Sequence, residues 1–421
     1  MQFILALLKT RTLRDTLISF TGLGVTALIG FIYTVILARH LGPSTYGVYS
    51  AITALSAIVY SLGDLGISSS LINFLPKLPE KYQIIINTSF ISQIIICTLA
   101  AILFIVFSIF HQSIIPGSLP GHLLLAGVIT VNYLLIGYIQ GIFTAKKRFW
   151  SYSISQIIDS GIKIIIVFLL LYYSRLDIGT AIMANIISTL LALAITFGRE
   201  FVKIKPVFDL KIFTLLFGFA KWIAFSRLFS VLISRIDIVL LNLMVSSYSA
   251  GIYSAASRIT LLFALLLGSL NAVVNPRFSG FDTPQKALVY IKKLFFFVCG
   301  IALLMLITII LAGPIIKLVF GNSYAEAIPV FQYLTLAMIP FLFSLITTPA
   351  IIYTFNRPDF YAKVTALQVI LLVIIELIFI PKIGYFAPVI ATGITNLLVM
   401  IISSLKLIQL LGIVKPSVAG R

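Results

Sequence analysis

Residues 84–110 read IIINTSFISQIIICTLAAILFIVFSIF, a run of 27 residues without a charged side chain. A helix of about 20 apolar residues is long enough to cross the hydrocarbon core of a bilayer. Eleven other segments are also long and apolar enough. The twelve predicted spans are 16–38, 46–68, 84–110, 121–143, 151–173, 177–198, 213–243, 250–275, 289–312, 328–353, 360–380 and 385–411. We therefore expect an all-α, polytopic membrane protein.

The composition agrees with this class. Of the 421 residues, 60% are hydrophobic and 10% are charged, whereas soluble domains contain about 45–50% and about 25%. The longest predicted connections, 199–212 and 313–327, are too short to fold as domains. These features exclude a water-soluble enzyme and argue against a membrane enzyme with a large external domain.

Basic residues set the predicted orientation. The chain has 30 Lys and Arg against 12 Asp and Glu, a formal net charge of +18. The basic residues fall in short runs between apolar segments, which is typical of membrane proteins. No nucleic-acid partner is therefore expected. Both termini and the connections on their side of the predicted membrane hold 21 Lys and Arg. The connections on the opposite side hold only Arg39, Arg175, Lys317 and Lys382. The positive-inside rule then places both termini in the cytoplasm.

The two ends of the chain are expected to be short cytoplasmic segments. Met1–Leu8 is apolar and the first charges follow it, the reverse of the order in a cleavable signal peptide. Residues 1–15 are predicted as an interfacial segment and 412–421 as a tail. Cys97 and Cys299 lie inside apolar runs without metal-ligand spacing, so no metal site is expected.

An internal repeat predicts two halves. Tyr46–Ala51, YGVYSA, recurs as Ala250–Ala255, AGIYSA, at an offset of 204. A second echo at an offset of 209 aligns three residues at the start of the fifth span with three at the start of the eleventh: Arg148, Tyr152 and Asp159 with Arg357, Tyr361 and Gln368. Each offset covers six spans, so the halves are parallel repeats. We expect an N-lobe over 16–198, a cytoplasmic linker over 199–212 and a C-lobe over 213–411.

Nine charged residues remain inside the predicted spans. Each costs at least about 2.5–3.5 kcal/mol at a helix centre, so together they predict a wet or protein-lined interior. The bases proposed to line a cationic, substrate-binding cavity are Arg227, Arg258, Arg235 and Lys163, and Lys221 is the fifth base. The acids, with either coupling or structural roles, are Asp64, Asp159, Asp237 and Glu376.

Several of these residues have two interpretations. Arg227 either meets an anionic head group or pairs with Asp237 on the same helix. Asp159 and Lys163 have i,i+4 spacing and can neutralise each other. Asp64, in the element Gly63–Gly66, is either a carboxylate linked to protons or sodium, or a structural partner of a neighbouring backbone or arginine.

The chain contains no Gly-rich phosphate-binding loop with a lysine, so it is not expected to hydrolyse ATP. No cofactor is predicted. Energy for transport is expected from a proton or sodium gradient, from the membrane potential, or from consumption of the product.

Three motifs resemble those of a known family. ARHLGPSTYG at 38–47, GDLG at 63–66, and Arg235-Ile236-Asp237 followed by GIYSA at 251–255 resemble Wzx-type polysaccharide flippases. That family belongs to the MOP superfamily, with the MATE exporters and the lipid II flippases. The lipid II flippases usually have two further spans.

The resemblance implies two six-helix lobes with alternating access in the cytoplasmic (inner) membrane. The implied substrate is an oligosaccharide linked to undecaprenyl pyrophosphate, and the implied partners are the polysaccharide polymerase and the chain-length machinery. Two alternatives stay open, a MATE-like ion-coupled exporter and a membrane glycosyltransferase, polymerase or ligase.

Overall fold

The computed structural model describes residues 11–201, 205–281 and 284–412. Fourteen α-helices account for most of these residues, and no β-strand occurs among them. The helices are α1 Arg11–Gly63, α2 Ile67–Phe74, α3 Tyr82–Ile109, α4 His111–Ile114, α5 Pro120–Ala145, α6 Phe149–Tyr172, α7 Ile178–Phe201, α8 Leu210–Met244, α9 Ser247–Ser279, α10 Pro284–Ile310, α11 Ala312–Phe320, α12 Ala327–Pro349, α13 Pro358–Ile383 and α14 Phe386–Leu410. The predicted all-α class is confirmed. Most of the predicted N-terminal segment, and the tail beyond residue 412, lie outside the described residues.

Within the described part of the chain, nine helices are long and apolar enough to cross a membrane. They are Thr21–Gly63, Pro79–Ile109, Pro120–Ala145, Phe149–Tyr172, Ile178–Thr196, Ala287–Ile310, Ala327–Thr354, Asp359–Ile383 and Phe386–Leu410. The first covers two predicted spans. The predicted spans 213–243 and 250–275 fall on α8 and α9, which are not among the nine, so the count of twelve stays a prediction.

The first two predicted spans form one kinked helix. Gly42 has φ 72° and ψ 169°, the only non-helical backbone inside α1 among its described residues, and Pro43 follows it. Proline has no N–H and cannot continue the hydrogen-bond ladder of the preceding turn. The segment between the predicted spans is therefore a sharp kink rather than a loop.

Residues with positive φ recur at, or within one residue of, the two offsets of the internal repeat. Their pairs are Gly117 with Gly321, Lys147 with Asn356, and Ser174 with Gly384. The first pair has the offset of the YGVYSA echo, and the second has the offset of the Arg148 echo. Because a positive φ is uncommon away from glycine, repeated positions of this kind support a duplicated chain.

The two copies of the short motif meet at their glycines. A Cβ atom on Gly47 would lie 1.7 Å from the carbonyl oxygen of Ser247, and one on Gly251 would lie 1.9 Å from that of Pro43. No side chain fits at either distance. Glycine at these two positions therefore permits direct contact between the backbones of α1 and α9.

Packing divides the chain into two compact units. Unit 1 comprises Met1–Leu41 and Val48–Val239, and unit 2 comprises Gly42–Gly47 and Leu240–Arg421. Unit 1 contains most of α8, which packs against α2 and the turn before it. The predicted lobes follow the span count rather than packing, so their boundaries stay a prediction.

Candidate functional site

The GDLG element is a break between α1 and α2. Leu65 has φ 40° and Gly66 has φ 71°, so the chain turns there through two left-handed residues. A Cβ atom on Gly66 would lie 2.4 Å from the carbonyl oxygen of Ala220. Glycine therefore allows both the turn and the close approach of α8, and the turn places Asp64 against that helix.

Asp64 forms an ion pair with Arg227 of α8. The side chain of Asp64 is 5% exposed and that of Arg227 is 44% exposed. Ser68 Oγ donates a hydrogen bond to Asp64 Oδ1 at 2.6 Å, and Arg227 Nη2 donates to Ser69 Oγ at 3.1 Å. The carboxylate is therefore buried and satisfied, whereas the guanidinium is anchored on one side and accessible on the other.

The alternative partner of Arg227, Asp237, is wrong. Ten residues separate the two side chains, which places them about 15 Å apart along the axis of α8. Asp64 instead reaches Arg227 from a separation of 163 residues in the chain. The structural interpretation of Asp64, as the partner of a neighbouring arginine, agrees with this contact.

The acid and base of α6 neutralise each other as their spacing predicts. Lys163 Nζ lies 3.2 Å from Asp159 Oδ2, and both side chains are 14% exposed. Ser188 Oγ donates to Asp159 Oδ1 at 2.7 Å, and Lys163 Nζ lies 5.8 Å from the centre of the Tyr33 ring. These contacts favour a structural role for Lys163 over a role in a cationic cavity.

A hydrogen-bonded cluster beside this pair was missed from the sequence. The hydroxyl groups of Tyr33 and Tyr49 are 2.9 Å apart, and Asn185 Nδ2 donates to Tyr33 Oη at 2.6 Å. All three residues are buried. Tyr33 and Tyr49 lie on opposite sides of the kink in α1, and Asn185 lies on α7. No local spacing in the sequence therefore relates them.

Each unit contains an equivalent side-chain hydrogen bond between two neighbouring helices. In unit 1, Ser188 of α7 bonds to Asp159 of α6. In unit 2, Gln368 Nε2 of α13 donates to Asn396 Oδ1 of α14 at 3.0 Å. Asp159 and Gln368 are the residues that the sequence repeat aligns, so the repeat extends to the polar contacts between helices.

Unit 2 contains a cavity of about 240 Å³ with partly polar walls. Its walls include Asn275, Ser344, Tyr361 and Gln368. Tyr361 and Gln368 are two of the residues that the sequence repeat aligns with Tyr152 and Asp159. Hydroxyl and amide groups of this kind can bond to the hydroxyl groups of a sugar.

The other predicted residues are placed separately. Arg235 is partly buried on α8, where Asp237 is 7% exposed. Arg258 is partly buried on α9, and Glu376 on α13 is 1% exposed. Arg227 and Arg258 belong to different compact units. A site that they share therefore stays a prediction. In the described part of the chain, no group of three His, Cys, Asp or Glu residues could hold a metal ion.

Comparisons with known proteins place these features in context. Residues 12–281 match the family described as "Polysaccharide biosynthesis protein". A Shigella flexneri protein named "Putative O-antigen transporter" is 25% identical over 351 residues, which cover 79% of this chain and 82% of that protein.

Two solved structures have a similar fold. The lipid II flippase MurJ, in an inward closed conformation, aligns with a TM-score of 0.74 at 18% identity, over 94% of this chain and 90% of that chain. An inward-facing multidrug resistance MATE family transporter of the MOP superfamily aligns with a TM-score of 0.73 at 14% identity, over 94% and 98%. At these identities the likeness concerns the fold alone.

Proposed function

The chain belongs to the polysaccharide biosynthesis protein family, and we propose that it is a flippase for an oligosaccharide linked to undecaprenyl pyrophosphate. It moves this lipid from the cytoplasmic to the outer leaflet of the inner membrane by alternating access. The relative named as an O-antigen transporter and the fold of the lipid II flippase support transport of a lipid-linked sugar. Because the family and its relatives are transporters, the enzyme alternative is set aside.

The observation that carries the proposal is the unequal exposure of the Asp64–Arg227 pair. Two of the five N–H donors of Arg227 bond to Asp64 and Ser69, and nearly half of the side chain is accessible. A guanidinium bonds to two phosphate oxygens at once, which suits a pyrophosphate. In this mechanism Asp64 orients Arg227, and Arg227 binds the head group.

Coupling belongs to the same proposal. Of the carboxylates inside the predicted spans, Asp64 and Asp159 have basic partners, which favours structural roles for both. Glu376 is our first candidate for a protonated coupling group, because it is almost fully buried on α13. The driving force is the proton or sodium gradient, or the membrane potential. The polymerase and the chain-length machinery act on the product.

The test compares the two members of the pair in cells that lack their own flippase. Surface polysaccharide and cytoplasmic lipid-linked oligosaccharide are measured for Arg227→Gln, Arg227→Lys and Asp64→Asn, each divided by membrane abundance. A charge-assisted bond is worth about 1.5–3 kcal/mol, or roughly 10- to 150-fold in affinity. We expect Arg227→Gln to lose nearly all transport and Arg227→Lys to keep part of it.

Asp64→Asn separates the two roles of the pair. If Arg227 binds pyrophosphate, Asp64→Asn keeps that cation and retains substantial transport per molecule. A purely structural pair predicts equal losses for Asp64→Asn and Arg227→Gln. Arg175→Gln is the matched control, since Arg175 is an exposed arginine outside α8. Equal loss in the two pair variants, or normal transport by Arg227→Gln, would refute the assignment.

A further inference from the structure

Unit 1 contains an apolar cavity of about 250 Å³. The turn before α2 and the helix α3 form one side, and the beginning of α8 with the segment before it forms the other. The walls consist almost wholly of carbon atoms and include Leu65, Ile95, Leu99, Phe217 and Ala220. We call this cavity the apolar slot.

The two serines in the wall do not offer hydrogen bonds to a ligand. Ser89 Oγ donates to the carbonyl oxygen of Ile86 at 3.0 Å, and Ser92 Oγ donates to that of Thr88 at 2.9 Å. Their hydroxyl groups are satisfied inside α3, as buried polar groups must be. The slot therefore suits a hydrocarbon chain and disfavours a polar head group.

The aromatic wall is held in place before any ligand binds. The backbone N–H groups of Lys205 and Asp209 donate to Asn87 Oδ1 and Thr88 Oγ1 of α3, at 3.0 and 3.1 Å. These bonds fasten the segment that carries Phe208. From there three rings pack in series, with centroids 5.6 Å apart for the tilted pair Phe208–Phe213 and 5.8 Å apart for the stacked pair Phe213–Phe217. Such a preorganised wall lowers the entropic cost of binding.

The slot continues the Asp64–Arg227 site. Leu65, in the wall, directly follows Asp64 in the chain. Ala220, also in the wall, precedes Arg227 by seven residues, so both lie on one face of α8, about 10 Å apart along its axis. A hydrocarbon chain that ends beside Ala220 therefore places the head group of its lipid near the guanidinium of Arg227.

We propose that the apolar slot binds the polyisoprenyl chain of the transported lipid, at the isoprene units nearest the pyrophosphate. This inference rests on the proposed function and identifies where unit 1 holds the apolar part of that substrate. Charge complementarity selects this occupant, because Arg227 beside the slot meets the pyrophosphate that such a chain carries. Ile95 and Leu99 are 53% and 60% exposed, so the wall also opens to the side, where a longer chain can continue into the bilayer.

The slot lies on the cytoplasmic side of Arg227 in the predicted topology. The segment before α8 belongs to the linker that the distribution of basic residues places in the cytoplasm. The slot is lined by the first turns of α8, so it lies toward the cytoplasmic leaflet in that topology. The substrate enters from this leaflet in the proposed direction of transport.

Photocrosslinking of the full-length purified protein tests the slot. The probe is a polyprenyl pyrophosphate that carries one sugar and a diazirine in its second isoprene unit. A phosphatidylglycerol with a diazirine in its acyl chain is the comparison. We expect the polyprenyl probe to label Ile95, Leu99 or Phe217. Unlabelled polyprenyl pyrophosphate should suppress this labelling at least tenfold more effectively than phosphatidylglycerol.

A matched pair of substitutions on α3 provides a second measurement. Ile95→Gln puts a polar amide into the slot, and Ile94→Gln puts the same group on the neighbouring isoleucine, which is 41% exposed and lies outside the slot. We expect about tenfold weaker labelling for Ile95→Gln, measured on protein of wild-type thermal stability. The Ile94→Gln variant should stay within about twofold of wild type. Equal effects of the two substitutions overturn the slot.

The remaining outcomes separate the slot from the proposed function. Equal labelling of the slot by the phospholipid probe overturns the isoprenyl assignment and makes the cavity a site for bilayer lipid. Specific polyprenyl labelling confined to other parts of the chain overturns the slot and leaves the flippase function standing. Absence of specific polyprenyl labelling anywhere, together with absence of transport in cells, overturns both.

Discussion

Replacing Arg227 by glutamine should destabilise unit 1 by about 2 kcal/mol. The perturbation removes the cation and leaves the carboxylate of Asp64, 5% exposed, with its hydrogen bond from Ser68. Removing one member of a fully buried pair costs about 3–5 kcal/mol, whereas an exposed pair contributes about 0–1 kcal/mol. Because Arg227 is 44% exposed, the expected value lies between these limits.

The double variant Asp64→Asn with Arg227→Gln should be more stable than Arg227→Gln alone. It leaves no unpaired charge at this site, and the asparagine side chain can still accept a hydrogen bond from Ser68. At about 2 °C or slightly more per kcal/mol for a large protein, we expect Tm to fall by roughly 4 °C in Arg227→Gln and by less in the double variant.

A thiol-reactive fluorophore provides the assay. Cys97 is a buried free cysteine on α3. With the other free cysteine, Cys299, replaced by serine in every variant, labelling of Cys97 on heating reports the unfolding of unit 1 in detergent. Because unfolding of membrane proteins is often irreversible, all variants are heated at one scan rate. Arg175→Gln serves as the control and should not shift Tm. Additive losses, with the double variant less stable than either single variant, would show that Asp64 and Arg227 are not energetically coupled.

Three further outcomes are expected. Gly47→Ala should lower membrane abundance severely in an immunoblot, because its Cβ would lie 1.7 Å from the Ser247 carbonyl oxygen. The control Gly30→Ala has open space around the new Cβ and should keep normal abundance. Normal abundance of Gly47→Ala would contradict the crossing of α1 and α9. A cysteine at Ser44 should react with an impermeant thiol reagent on intact cells and one at Lys147 should not; labelling at Lys147 would reverse or break the topology. Initial rates of flipping in vesicles should fall when an ionophore collapses the ion gradients and the potential, and equal rates would leave a passive, mass-action flippase.

The sequence was sufficient for the all-α class, for most of the long apolar helices and for one local ion pair of this protein. Long apolar runs predict spans because a bilayer leaves few other ways to satisfy the backbone. The pair Asp159–Lys163 was predictable because four residues along a helix place two side chains on one face. The repeat at 204 and 209 residues also appears in the structure, as paired left-handed residues and paired polar links.

Only the tertiary structure decided which helix each polar face meets. Asp64 and Arg227 are 163 residues apart. Helix spacing puts Asp237 out of reach of Arg227, but nothing in the sequence singles out Asp64 as the partner. The apolar slot and the Tyr33–Tyr49–Asn185 cluster likewise draw their members from separate helices. In a membrane protein both the lipid-facing and the packed surfaces are apolar, so hydrophobic periodicity does not reveal the neighbour of a helix. Close backbone approaches at Gly47 and Gly66, together with a few buried hydrogen bonds and ion pairs, determine which helices pack together.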